Sequence, residues 1–299
     1  MIENSTTPNR YPVEQPRWRT GLHPLPADRE RPPIEIRAGR WLALLAGAVL
    51  FGLLTLPLIG LLWRTIERFD GVSHATSTTL RQALRLSLTT TAITLLIVVM
   101  LGTPLAYLLG RREFRGKTFV ETIIDLPMVL PPAVAGLALL MAFGRRGLVG
   151  EYLDRHLGIT IGFTTTAVIL AQIFVSAPFY IRSARAGFSR YDREVEEAAA
   201  DLGASPWRVL ASVTLPLARP SLGAGAVLAW ARALGEFGAT IMFAGSIAGK
   251  TETMPLAVYG RYEAGDLNTA LLLSVILVVC AMLVLLSVRL SGGRSGQMA

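Results

Sequence analysis

Cysteine is nearly absent from this sequence, and histidine is scarce. Cys280 is the single cysteine among 299 residues, which excludes an internal disulfide framework and a thiolate metal cluster. We expect it to be a small apolar packing residue. The three histidines, His23, His74 and His156, fall in predicted tails or loops. A membrane enzyme would need His, Ser or carboxylate groups that converge at one depth, and the sequence shows no such cluster.

Charged residues are missing from several long runs. The chain is 52% hydrophobic and 17% charged, with a mean hydropathy of +0.48, which is too apolar for an ordinary soluble domain. A span of about 20 apolar residues crosses a hydrocarbon layer of about 30 Å. Residues 41–63, 86–109, 126–143, 163–181 and 267–288 carry no Asp, Glu, Lys or Arg. A sixth span, about 217–243, is interrupted by Arg219, Arg232 and Glu236 but is otherwise apolar.

These runs predict the fold class. They are continuous and of helix length, without the alternation of membrane-spanning strands. The sequence therefore predicts an all-α membrane protein with six transmembrane helices, the first at 41–63 and the others within 79–288. Prolines at Pro104, Pro127, Pro131, Pro132 and Pro178 are expected to kink or end helices, because proline removes a backbone hydrogen bond.

The distribution of positive charge predicts the orientation. Most lysines and arginines fall in the N-terminal segment and in the inter-span segments on that same side. The positive-inside rule then places both termini in the cytoplasm of a multi-pass cell-membrane protein. The net charge of +8 thus reflects orientation, and a nucleic-acid partner is not expected. Residues 1–40, rich in proline and arginine, are predicted to be a disordered cytoplasmic tail, and the run at 41–63 is too long for a cleaved signal.

A polar loop at 182–216, predicted to be cytoplasmic, has the pattern of two short helices. One helix carries an apolar stripe opposite charged residues: Val195, Ala198, Ala199 and Leu202 against Asp192, Arg193, Glu196 and Glu197. Gly203 is a helix stop, and Ser205 and Pro206 begin a second short helix that we expect to close at Leu215 and Pro216. Short isolated helices are marginal in water, so the small-residue face is expected to dock on a partner.

This loop resembles one known family. It fits the pattern E-A-A-x3-G-x9-[IV]-x-L-P of the permease subunits of bacterial ATP-binding cassette importers, at Glu197, Ala198, Ala199, Gly203, Val213, Leu215 and Pro216. The resemblance implies a fold like that of type-1 importer permeases. It also implies that these residues couple the chain to a separate cytoplasmic ATPase subunit. A DNA-reading helix-turn-helix is excluded because membrane spans tether both ends of the loop.

A second stretch resembles the oxyanion branch of that family, and most closely its molybdate permeases. It reads ARALGEFGAT from Ala231, and the runs LPMVLPPAVAGLALL, AFGRRGLVG and ILAQIFVSAPFYIR also match. The resemblance implies import of an oxyanion, molybdate first, with sulfate, thiosulfate and tungstate as alternatives. The candidate pathway or gate residues are Arg232, Gly235, Glu236, Phe237 and Gly238. Arg232 and Glu236 are spaced i, i+4, so they are either a self-neutralising structural pair or part of the pathway.

The resemblance also implies an assembly. Six spans form half of a typical pathway, so we expect a homodimer in membrane lipid, two copies of the ATPase and an extracytoplasmic oxyanion-binding protein. That protein would dock on the outer loops at 144–162 and 245–266. No cofactor is expected in this chain, since ATP would be bound by the partner subunit. The run Gly249-Lys250-Thr251 is not a phosphate-binding loop, because the pattern requires glycine at the position of Ala244.

An ion-coupled secondary anion transporter is the rival interpretation. Such a transporter uses intramembrane carboxylates as ion sites and needs no cytoplasmic docking helix. Glu236 is the single candidate carboxylate in a predicted span.

Overall fold

The computed structural model describes residues 37–68 and 74–292. All regular structure in these ranges is helical, which confirms the all-α prediction. The predicted disordered tail lies outside the described residues up to position 36, and a helix begins at Arg37.

The helices follow one another in the order α1 (Arg37–Glu67), α2 (His74–Arg111), α3 (Lys117–Val129), α4 (Pro132–Phe143), α5 (Gly150–Leu157), α6 (Thr165–Ser189), α7 (Glu194–Asp201), α8 (Pro206–Val209), a π-helical turn (Leu210–Thr214), α9 (Leu215–Leu234), α10 (Gly238–Ala244), α11 (Met254–Glu263) and α12 (Leu267–Gly292).

Four to six of these units can cross a membrane. By length and composition, α1, α2, α6 and α12 can each span alone. The other two candidates are bent pairs, α3 with α4 and the helix from Pro206 to Leu234 with α10. Counting each pair as one span gives six. The helices α2 and α6 continue through Pro104 and Pro178 without ending.

The third span is broken at its prolines. The run 126–143, predicted as one span, instead forms parts of α3 and α4, whose axes differ by 118°. Pro131 and Pro132 have no N–H to continue the ladder of α3, and Pro132 starts α4 at the position where proline is favourable. The chain therefore changes direction at Leu130 and Pro131.

The centre of residues 59–292 is formed by α2, α6 and α9. Leu109, Tyr180 and Phe188 are buried there among small residues. A Cβ added to Gly187 would lie 2.5 Å from Ser221 Cβ, and the Ser183 hydroxyl donates to the Ser221 carbonyl at 2.8 Å. Small residues thus bring α6 and α9 into close contact, as expected where lipid offers no hydrophobic driving force.

A second core joins α4 and α10, the second helices of the two bent spans, to α6. Ala135 and Leu139 of α4 pack with Val168 and Val175 of α6 and with Phe243 of α10. One polar pair crosses between helices in the same region: the Thr94 hydroxyl of α2 donates to Gln172 Oε1 of α6 at 3.1 Å. This core fixes the positions of both span breaks.

Candidate functional site

The loop that carries the family-like pattern begins where α6 ends and is here called the motif loop (residues 190–216). Its first helix, α7, ends as the sequence predicts. Gly203 has φ +85°, its N–H donates to the Ala200 carbonyl at 2.8 Å, and the Ala204 N–H donates to the Ala199 carbonyl at 3.1 Å. These bonds form a Schellman motif, which requires the left-handed conformation that glycine adopts without strain.

The apolar face of α7 points away from the protein. Val195 is 47% exposed and Leu202 is 90% exposed, and Trp207 in the next helix is 74% exposed. Ala198 is also exposed, and Ala199 is partly exposed. An amphipathic helix ordinarily turns its apolar side inward, so an outward apolar face indicates a surface that binds a partner.

The two adjacent glutamates of α7 point in different directions. Glu197, the first residue of the pattern, is exposed. Glu196 turns inward, and its Oε1 lies 2.9 Å from Nη2 of Arg111, whose side chain is only 8% exposed. The sequence puts both glutamates on one polar face and only Glu197 in the family-like pattern, so it does not predict the inward turn of Glu196.

The second short helix does not close at Leu215 and Pro216, so that prediction is wrong. Pro206 starts α8 as predicted, although the Ser205 side chain makes no capping bond. The helix then passes through the π-helical turn into α9 without a break. The Leu215 N–H bonds five residues back to the Leu210 carbonyl. The wider π register directly precedes Pro216, which cannot donate an N–H, so the helix tolerates the proline. In this stretch Val213 and Leu215 are half-buried and Pro216 is exposed.

The remaining candidate residues lie at the break of the span predicted at about 217–243, which is the fifth span in chain order. Between α9 and α10 the chain bends by 57° at Gly235, Glu236 and Phe237. Arg232 and Glu236 form the predicted ion pair, with Arg232 Nη1 2.6 Å from Glu236 Oε2. Glu236 is 1% exposed, whereas the Arg232 side chain is 30% exposed.

Glu236 has a second role that its i, i+4 spacing from Arg232 does not predict. Its Oε1 accepts the backbone N–H of Ala239 at 2.7 Å, which caps the start of α10. An acidic residue three positions before a helical residue is a known signal for such a cap. Here the signal lies inside an apolar run that predicts one continuous span, so the sequence does not show that a helix starts at this point.

The two span breaks lie against each other. A Cβ added to Gly238 would lie 2.4 Å from Pro132 Cβ, and one added to Gly136 would lie 2.6 Å from Met242 Cβ. Both distances are too short for a side chain, so glycine permits α4 and α10 to approach closely. On the other side, the ring of Phe237 packs on Tyr259 of α11, with 5.0 Å between ring centroids.

The comparisons with known proteins define the family. A family model described as "Binding-protein-dependent transport system inner membrane component" matches residues 102–294. This chain belongs to that family. The matched residues include the motif loop and both span breaks.

Three relatives from different bacteria align with most of this chain. The molybdenum transport system permease protein ModB of Mycobacterium tuberculosis is 43% identical over 258 residues, covering 86% of this chain and 95% of the relative. ModB of Escherichia coli is 41% identical, covering 72% and 96%. A probable transport system permease protein, NifC of Clostridium pasteurianum, is 40% identical, covering 82% and 85%.

Solved structures of transporter chains share the fold of this chain. A chain of a bacterial ABC transporter that imports alginate has a TM-score of 0.68 at 18% identity, covering 87% of this chain and 97% of that chain. A chain of the MetNI methionine ABC transporter has a TM-score of 0.58 at 19% identity, covering 75% and 99%. At these identities the likeness concerns the fold alone.

The run Gly249-Lys250-Thr251, which partly resembles a phosphate-binding loop, forms a local turn. The backbone N–H groups of Lys250, Thr251 and Glu252 all donate to the Ile247 carbonyl. They are thus occupied by a local turn, unlike the free amides of a phosphate-binding loop. Among the described residues, no group of His, Cys, Asp and Glu is arranged to hold a metal.

The helix α11 is tied to the bundle by a polar contact. Arg261 Nη2 donates to the Thr79 hydroxyl at 2.7 Å. Asp266 Oδ1 accepts the Thr269 N–H at 3.1 Å and caps α12, and hydrogen bonds from the Thr269 side chain and backbone hold the pKa of Asp266 below its usual value. The position of α11 is therefore fixed against α2, and the start of α12 is fixed by its cap.

Proposed function

We propose that this chain is the permease subunit that forms the membrane pathway of an ATP-driven oxyanion importer, and that its substrate is molybdate. The observation that carries the proposal is the 43% identity to a protein named as a molybdenum transport permease, over 86% of this chain and 95% of that protein. A relative named for molybdate and tungstate, WtpB of Pyrococcus abyssi, is 45% identical over 54% of the chain. Tungstate is therefore the second candidate substrate.

The charge of the substrate explains why an importer needs a motor. A dianion that enters a cell with a negative interior climbs about 4.6 kcal/mol per 100 mV, at about 2.3 kcal/mol for each charge. A passive pore would let the anion leak outward. ATP hydrolysis supplies the work, and the ATP is bound by a partner subunit, so this chain needs no cofactor of its own.

The motif loop is proposed as the contact with the ATPase subunit. Its outward apolar face offers Val195, Leu202 and Trp207 to a partner surface, and Glu197 lies beside them. The Schellman motif at Gly203 sets the angle between α7 and α8. Val213, Leu215 and Pro216 connect this surface directly to α9, so a displacement of the loop reaches the fifth span.

The paired span breaks are proposed as part of the pathway or its gate. Broken helices near the middle of a membrane protein commonly mark substrate sites in transporters, because irregular backbone is tolerated only where it is enclosed or lines a cavity. The break residues Gly235, Glu236 and Phe237 pack on the break of the third span through Gly238. Arg232 supplies a partly exposed cation beside them.

The proposed assembly is a homodimer with two ATPase subunits and an extracytoplasmic binding protein. The dimer follows from the span count, since about six helices supply half of a pathway. The family description names dependence on a binding protein. In this arrangement α5 and α11 face the binding protein, and both termini and the motif loop face the cytoplasm.

The proposal is tested by reconstitution. The chain, its ATPase subunit and the binding protein are incorporated into liposomes, and uptake of molybdate, tungstate and sulfate is measured with ATP on the motif-loop side. We expect uptake of molybdate that requires ATP, with tungstate transported in competition and sulfate poorly. A non-hydrolysable ATP analogue is the control and should support no uptake.

Two outcomes would contradict the proposal. Uptake driven by a proton or sodium gradient without ATP would make the chain a secondary transporter. ATP-dependent uptake of sulfate with no uptake of molybdate would keep the mechanism and replace the substrate.

A further inference from the structure

Arg111, the last residue of α2, is the point at which that helix binds the motif loop. Its Nη1 donates to the Tyr191 carbonyl at 2.8 Å, and its Nη2 lies 2.9 Å from Glu196 Oε1 in α7. The guanidinium of Arg193, in turn, donates to the Arg111 carbonyl. The side chain and backbone of one residue thus bind the motif loop at three points.

Oε1 of Glu196 also binds the residue that directly precedes α9, the helix of the fifth span. Glu196 Oε1 accepts the Thr214 hydroxyl at 2.7 Å, and Thr214 is the last residue of the π-helical turn, directly before α9. Thr214 is 2% exposed. Arg111, Glu196 and Thr214, here called the Arg111 network, therefore join α2, α7 and α9 through charge-assisted hydrogen bonds, which are stronger than neutral ones.

Apolar packing does little to hold α7 in place. None of its residues is buried, and its apolar stripe points outward. The position of α7 relative to the bundle must then depend strongly on polar contacts, and Glu196 makes these with two different helices. The π-helical turn lies at the same point, and such turns are frequent at functional sites in helices.

We propose that the Arg111 network transmits a displacement of α7 to both α2 and α9, and that Glu196, rather than the neighbouring pattern residue Glu197, is the positioning residue for this step. The inference depends on the proposed function, because it assumes that an ATPase subunit moves α7. Glu197 binds the partner, whereas Glu196 holds the helix to the membrane bundle. Loss of the network would leave the ATPase bound and active but disconnected from transport.

The test compares Glu196→Gln and Thr214→Val with the matched control Glu197→Gln in the reconstituted complex. Three quantities are measured: ATPase subunit retained on the purified permease, ATP hydrolysed, and anion imported. Glu196→Gln and Thr214→Val should retain the ATPase subunit and raise the ATP hydrolysed per imported anion about fivefold or more, within the usual range of coupling between sites. Glu197→Gln should instead weaken retention of the ATPase, with an unchanged ratio in the complexes that form.

The result can separate the two proposals. Wild-type ATP-to-anion ratios in both Glu196→Gln and Thr214→Val would overturn the inference while leaving the proposed function intact. Loss of ATPase retention in Glu196→Gln, matching that in Glu197→Gln, would make Glu196 a partner contact and would also overturn it. Failure of the wild-type complex to import any oxyanion would instead overturn the proposed function. Thr214→Val is nearly isosteric, so it keeps the test decisive if Glu196→Gln does not fold.

Discussion

Gly203 shows what one residue contributes to this protein. Its φ of +85° costs other residues about 1 to 2 kcal/mol, while the space where a Cβ would lie is empty. A substitution there changes backbone strain without creating a clash. The position therefore allows a test of the motif-loop geometry alone.

We expect Gly203→Ala to weaken binding of the ATPase subunit about five- to thirtyfold, because that strain disfavours the angle between α7 and α8. Gly203→Asn should retain most of the binding, since asparagine tolerates the left-handed conformation better. Dissociation constants for the purified ATPase subunit provide the measurement. Gly260→Ala, at a helical glycine that also has empty space around it, is the control and should bind normally. Equal affinity for the alanine and wild-type proteins would contradict this role for Gly203.

At the residue scale, local signals were predictable and distant partners were not. The helix stop at Gly203 and the pair formed by Arg232 and Glu236 follow from spacing within a few positions. The inward turn of Glu196 does not, because its partner Arg111 is far away in the sequence. Two adjacent glutamates look alike until the fold brings a cation beside one of them.

At the scale of elements, the same distinction explains which of the two span breaks has a local signal in the sequence, although 126–143 and 217–243 are each predicted as one span. Proline predicts the break between α3 and α4, because it removes the N–H that a helix requires. The break between α9 and α10 contains no proline and lies in an apolar run, so hydropathy predicts one continuous span. Its stability comes from Glu236, which caps α10 and neutralises Arg232.

The Arg232 variants separate the structural and pathway roles of this ion pair. We expect Arg232→Ala to lower the melting temperature and the uptake rate, because an unpaired buried carboxylate costs about 3 kcal/mol or more. The double variant Arg232→Ala with Glu236→Gln removes the unpaired charge and keeps an acceptor for Ala239. Its melting temperature should recover, while uptake should stay low if the pathway uses the arginine cation.

Recovery of both properties in the double variant would assign the pair a structural role alone. Normal uptake and unchanged anion selectivity in Arg232→Ala would remove the residue from the pathway. The two measurements, thermal unfolding in detergent and uptake in liposomes, are made on the same preparations.

At the scale of the whole molecule, orientation can be tested with two matched positions. Leu148 and Leu202 are each 90% exposed, and one span, α6, separates them along the chain. They must therefore lie on opposite sides of the membrane. The distribution of Lys and Arg predicts that Leu202 faces the cytoplasm.

In a Cys280→Ala background produced without any ATPase subunit, so that the motif loop stays uncovered, we expect Leu202→Cys to react with a membrane-impermeant maleimide in inside-out vesicles and not in intact cells. Leu148→Cys should show the reverse pattern. Labelling is quantified as the fraction of protein modified. Reaction of Leu202→Cys in intact cells would invert the topology and place the motif loop out of reach of any cytoplasmic ATPase.

The outward apolar face of α7 also has a consequence for biosynthesis. Three apolar side chains remain exposed to solvent until a partner covers them: Val195, Leu202 and Trp207. Exposed apolar patches of this kind promote non-specific association. An excess of this chain over its partner subunit would thus be prone to aggregation and to degradation by quality-control proteases. Under the proposed function, balanced synthesis of the two chains is therefore a requirement set by α7, its C-cap residue and the start of α8.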